Sequence, residues 1–174
     1  LDAFVDALPS GRWDLVLGHS LGGAIAVRAA SDPTFASLLV LEDPLLGELR
    51  RDVALAEFDT PLDPDVHVAM HPDWDPQDAR AKAHALAQCG PTVVSAIVDG
   101  FVGTDLGDEV RALSTPSLVL GADRDPLVPS ELGTALAAVN PMLSFAVVAG
   151  SSHSMHRDAF DHFTAVIGEW LDRR

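Results

Sequence analysis

Gly18-His19-Ser20-Leu21-Gly22-Gly23 carries the spacing Gly-x-Ser-x-Gly and lies between two segments of opposite character. Before it, Trp13-Asp14-Leu15-Val16-Leu17 is a short, mostly apolar run with the length of a buried strand. After it, residues 21–30 are small and apolar with helical spacing, and Ser31-Asp32-Pro33 closes them. Strand, sharp turn and helix is the setting in which a serine at the tip of the turn adopts a strained backbone with its hydroxyl clear of the sheet. Gly18, Gly22 and Gly23 remove the side chains that would collide around such a turn. Ser20 is therefore the candidate nucleophile. The next backbone N–H, on Leu21, is the candidate donor to a developing oxyanion.

Working outward, Leu1, Phe4, Val5 and Leu8 have the spacing of the end of an amphipathic helix, broken at Pro9-Ser10-Gly11. Ser37-Leu38-Leu39-Val40-Leu41 is a second continuous apolar run, ended by Glu42-Asp43-Pro44. Two buried strands joined by one helix predict a parallel crossover. Over residues 45–113 helix signals replace β runs: Asp75 caps a helix with Pro76 at its first position, Gly90-Pro91 stops it, and Val93, Val94, Ile97 and Val98 predict another. This block reads as an inserted helical cap, with a helical crossover of no separate role as the alternative. The α/β alternation resumes over 114–174. Ser117-Leu118-Val119-Leu120 is a strand, Ser130 caps a helix bearing Leu132, Leu136 and Val139, and Phe145-Ala146-Val147-Val148-Ala149 is the last strand. A helix with Phe160, Phe163, Ile167, Trp170 and Leu171 on one face closes the chain.

The chain has 174 residues and is 48% hydrophobic, which is enough for one packed domain. Eleven basic against 26 acidic residues give a net charge of −15, which argues against nucleic acid or an anionic membrane surface as partner. Cys89 is the only cysteine, so no internal disulfide forms, and a reducing compartment such as the cytoplasm is compatible. It reads as a small core or helix residue. No apolar run approaches the roughly 18 residues of a membrane span.

Ser20, Asp125 and His153 each follow a predicted parallel strand, at the sheet edge where ligands bind in such folds. A serine hydroxyl becomes nucleophilic when an imidazole takes its proton, and a carboxylate fixes the tautomer of that imidazole and stabilises its charged form. His67, His71, Asp73 and Asp75 invite a metal reading through their spacing, but Pro72 breaks the helix it needs, so no metal is expected. His84 and His162 read as helix-surface residues.

These pieces resemble the α/β-hydrolase fold family, specifically its capped branch of small esterase-like and carbon–carbon-bond hydrolases. The matching stretches are Gly18 to Gly23, Asp125-Pro126-Leu127-Val128-Pro129, and Gly150-Ser151-Ser152-His153 running on through Ser154-Met155-His156-Arg157-Asp158. The resemblance implies His153 as base and Asp125 as acid, since the family's acid commonly precedes a Val-Pro such as Val128-Pro129. Asp123 is the second choice. Glu42 or Asp43 would serve where the acid follows the strand after the elbow helix, although turn chemistry before Pro44 accounts for them more simply. His156 is expected to cap or pack at the start of the last helix. His19 either lines the pocket or fills space.

The implied fold is the C-terminal half of an α/β-hydrolase fold. Its parallel sheet holds family strands 5 to 8 flanked by helices, with residues 1–44 as elbow and next strand, 45–113 as helical cap, and 114–174 as the remaining core. In this family the second oxyanion donor comes from a loop well upstream of the nucleophile, and the 19 residues before Ser20 leave no room for it. A truncated or fragmentary chain is therefore expected, weak in catalysis and exposing the elbow strand as an edge open to self-association. The expected function is serine hydrolysis of a small carbonyl substrate, such as a carboxylic ester, through an acyl-enzyme. The alternative is a non-catalytic binding module. Phe58, Met70, Trp74 and Phe101 are candidate pocket residues, with packing as the simpler account. No cofactor motif is present, and this chemistry requires none.

Overall fold

The structure is a computed structural model that describes residues 1–47, 51, 55 and 61–174. The described chain falls into two compact units, Leu1–Gly47 with Asp105–Arg174, and Glu48–Thr104.

In the first unit α1 (Asp2–Asp6) precedes β1 (Trp13–His19), α2 (Leu21–Ala29) and β2 (Ala36–Glu42). The chain returns to this unit through α6 (Gly107–Ala112), β3 (Ser117–Ala122), α7 (Ser130–Val139), β4 (Leu143–Val148), α8 (Met155–Asp158) and α9 (Phe160–Leu171). The four strands are all parallel, in the order β1-β2-β3-β4, so β1 is the outermost strand of the described sheet.

Strand alternation divides the core between the two faces of the sheet. Val40, Leu118, Leu120, Ala122 and Val148 point to one face and pack against Met155, Phe163 and Trp170 of α8 and α9. Leu39, Leu41 and Val119 point the other way and are equally buried. On that side α6 packs against both α2 and α7, and α7 lies against β4. Arg28 of α2 pairs with Glu109 of α6 at 2.9 Å, and the Asn140 amide donates to the carbonyls of Val110, Arg111 and Leu113. These contacts place α6 with the sheet, so the helical insertion is narrower than the 45–113 read from the sequence. One further detail differs: α7 is preceded by Pro129, and no side chain caps it.

The second unit is helical among its described residues, apart from an isolated bridge residue at Val102. It contains α3 (Pro64–Met70), α4 (Pro76–Gln88) and α5 (Pro91–Asp99). All three helices have proline at their start, and Asp63 and Asp75 cap the first two by accepting from the N–H groups of Asp65 and Gln77. Cys89 follows α4 and is exposed, which departs from the core placement weighed above. No helix among the described residues is long and apolar enough to cross a membrane.

Two glycines allow the turn at Ser20. A Cβ on Gly18 would lie 2.6 Å from the Gly22 carbonyl oxygen, and one on Gly23 would lie 2.6 Å from Cβ of Pro44. The strand, the helix and the segment after β2 thus approach more closely than any larger residue permits. Gly18→Ala should destabilise the fold by about 1–3 kcal/mol, because the colliding atom is backbone and has nowhere to retreat. Gly168→Ala is the control: it lies inside α9 with open space around its Cβ position, and should stabilise by about 0.5–1 kcal/mol. Urea titrations of the two variants check both signs.

Candidate active site

Ser20 has φ 54° and ψ −117°, a conformation sparsely populated by L-residues, at the junction of β1 and α2. Its N–H donates to the Glu42 carbonyl at 3.0 Å, and its own carbonyl accepts from Gly23 and Leu45 at 3.0 Å each. Two strand ends and the first helical turn therefore hold the strained residue. Leu21 opens α2, where the first N–H groups of a helix have no partner within it and stay available to an anion.

His153 lies in the loop after β4, and its Nδ1 donates to Oδ2 of Asp43 at 2.7 Å. Asp43 follows β2 at φ 38° and is fully buried. Its carboxylate also accepts from the N–H groups of Leu127 at 3.1 Å and Val128 at 2.9 Å. Because the carboxylate accepts, the Nδ1 of His153 carries the proton, which leaves Nε2 of the neutral ring as an acceptor. An imidazole so oriented can take a proton from a hydroxyl.

The expected Asp125–His153 pair is not formed. Asp125 is exposed, with φ 46°, on the loop after β3. That loop does meet the site, but through the backbone N–H groups of Leu127 and Val128, which cap the Asp43 carboxylate. Asp123 is exposed too and accepts from the Gly150 N–H at 2.8 Å, bracing the base loop from outside. Asp43, weighed above as a turn residue, is thus the carboxylate that meets His153. The available signal was two consecutive acids at the C-terminal end of an apolar strand.

Glu42, also fully buried, forms a second carboxylate–imidazole pair. Its Oε1 accepts from Nδ1 of His156 at 2.8 Å and from the His156 backbone N–H at 3.1 Å. His19 lies between the two pairs, its ring centroid 4.6 Å from that of His153 and 5.2 Å from that of His156. Its Nε2 donates to the His153 carbonyl at 2.8 Å.

The remaining candidates are in the helical unit. Trp74 is buried and stacks on His71 with centroids 3.9 Å apart, Phe101 is fully buried, and Met70 is exposed. Packing thus accounts for Trp74 and Phe101, and Phe58 lies outside the described residues. His67 is fully buried, and among the described residues no group of three or more His, Cys, Asp or Glu side chains is arranged to hold a metal ion. His84 is exposed, whereas His162, also exposed, faces the Ala149 carbonyl at 3.2 Å.

Burial above all, joined by repulsion from the neighbouring His153 and His156 rings, holds the pKa of His19 below the ordinary 6.5 against the opposing pull of the Glu42 charge and the bond to the His153 carbonyl. The unfolded chain therefore takes up a proton near pH 6.5 that the folded chain refuses. Stability from this group is complete above that pH and is lost as pH falls from 6.5 through the lower folded value. Denaturation titrations at about pH 7.5 and 5.5 should show a larger loss for the wild type than for His19→Gln, which cannot titrate. Equal losses would contradict the assignment.

No curated protein matches the chain. Solved structures do: E-2-(acetamidomethylene)succinate hydrolase at TM-score 0.76 and 18% identity, covering 98% of this chain and 70% of that one. A thermophilic esterase from Thermogutta terrifontis matches at 0.69 and 23%, covering 94% and 65%. The meta-cleavage product hydrolase from Pseudomonas fluorescens IP01 matches at 0.70 and 15%, covering 98% and 68%. The chain spans about two thirds of the length of these structures, 65% in the case of the esterase. The likeness to them is one of fold. The family model described as "Alpha/beta hydrolase family" matches residues 1–165, and the chain belongs to that family.

Proposed function

We propose that this chain carries the catalytic centre of a serine hydrolase acting on a small carbonyl substrate such as a carboxylic ester, with Ser20 as nucleophile, His153 as base and Asp43 as acid. The observation that carries this reading is the 2.7 Å bond from His153 to a fully buried Asp43, in the unit that holds Ser20 in its strained turn. Family membership and the hydrolases of like fold support hydrolysis in general terms.

In this reading Ser20 Oγ attacks the carbonyl carbon while its proton passes to Nε2 of His153, and Asp43 stabilises the resulting imidazolium. The Leu21 N–H donates to the oxyanion. Collapse expels the leaving group, which takes the proton from His153, and the acyl group remains on Ser20. Water then attacks the acyl-enzyme, giving its proton to His153, and the second collapse releases the acid and returns the proton to Ser20. The chemistry needs no cofactor.

A second reading, a non-catalytic module that assembles through β1, draws on the apolar stripe of Trp13, Leu15 and Leu17, each about two-fifths exposed on the outermost strand.

Hydrolysis of an activated aryl ester separates the two. Ser20→Ala should abolish turnover, and Asp43→Asn should lower it by about 10⁴-fold, as loss of a triad carboxylate does elsewhere. Asp125→Asn should stay within a few-fold of wild type. Loss of turnover in Asp125→Asn with Asp43→Asn unaffected would return the acid to Asp125. No turnover by the folded wild-type chain would favour the module, and turnover that survives Ser20→Ala would remove Ser20 as the nucleophile.

A further inference from the structure

The loop that carries His153 is held from the elbow side by two residues with no part in proton transfer. His19 and Glu42 are register neighbours on β1 and β2, so their side chains leave the same face of the sheet. His19 donates to the His153 carbonyl, and Glu42 accepts from the N–H and ring of His156, three residues further on. The base is thus bracketed by bonds to its own backbone and to the turn of helix that follows it. Glu42 forms these bonds although its Oε2 is buried without a hydrogen-bond partner, an arrangement costly for a carboxylate.

His19 is also the residue covalently next to Ser20. A single bond therefore links the chain segment of the nucleophile to that of the base. The carbonyl can only accept, so Nε2 of His19 must carry a proton, and this fixes the ring's direction. The bond from Asp43 sets the tilt of the His153 ring, and Asp123 and Asp158 hold the loop before it through the Gly150 and Ser152 N–H groups. The His19 bond is the one that ties the carbonyl of His153 itself to the elbow strand.

We propose that His19 is a positioning residue that clamps the His153 backbone to the nucleophile turn, with the Glu42–His156 pair as the second arm of the clamp. This rests on the triad reading above. A displacement of about 1 Å at a reacting group can cost 10²-fold in rate. His19→Leu should accordingly lower kcat about 100-fold with KM changed by less than about threefold, and His19→Gln, whose amide keeps a donor, should recover most of the loss.

A proton NMR measurement tests the clamp without requiring turnover. The His153 Nδ1 proton, bonded to Asp43, should give a downfield resonance, assigned by its loss in His153→Gln. That resonance should vanish or move upfield in His19→Leu and persist in His19→Gln, while circular dichroism shows both variants folded. Wild-type kcat and an unchanged resonance in His19→Leu would overturn the proposal. So would a His19→Gln variant as impaired as His19→Leu, since a role in packing alone does not depend on the donor. If Ser20→Ala leaves ester turnover intact, the triad reading fails, and the resonance still reports separately whether His19 holds the base loop.

Discussion

The carboxylate of Asp43 is the constraint on which the site depends. It has no exposure to water, and a buried charge without partners costs several kcal/mol. Its partners come from two other places in the chain, the Leu127 and Val128 N–H groups after β3 and the His153 ring after β4. They can converge only because β2, β3 and β4 are parallel neighbours with their C-terminal ends side by side. Sheet order, set by the continuous apolar strands, thus becomes the position of one imidazole.

The turn at Ser20 depends on close packing of backbone. Ser20 keeps a positive φ because the backbone of Gly18 touches the start of α2 and that of Gly23 touches Pro44, so strand, helix and the segment after β2 are pressed together. Hydrogen bonds connect the same turn to the segment of Asp43: Ser20 donates to the Glu42 carbonyl and accepts from the Leu45 N–H, on either side of Asp43. Strain at Ser20 and burial of Asp43 are therefore held by one short segment, Glu42-Asp43-Pro44-Leu45.

Much of this was legible in the sequence. Every predicted strand is present, because continuous Leu and Val runs between turn residues have few alternatives in an α/β chain. Ser20 stood out through its flanking glycines, of which Gly18 and Gly23 have a steric reason to be there, whereas Gly22 has open space around its Cβ position. The acid was harder to read. Asp125 occupies a loop of the right kind, but the contribution of that loop is made by backbone N–H groups, which leave no side-chain signature. Asp43 looked like turn chemistry before Pro44, and only strand register shows that Glu42 faces His19 while the next residue turns toward His153. The edge of the helical block at residue 113 was hard to read for a similar reason: α6 is tied to the sheet unit by Arg28 and Asn140, which are distant in sequence.

The most direct test of the central claim is covalent. The chain would be treated with a fluorophosphonate, and the adduct counted by intact mass and located by peptide mapping. An activated serine predicts one adduct per chain, on the peptide that contains Ser20, forming more slowly once the Asp43 carboxylate is removed. An unlabelled folded chain, or an adduct on Ser151, Ser152 or Ser154 in place of Ser20, would contradict it.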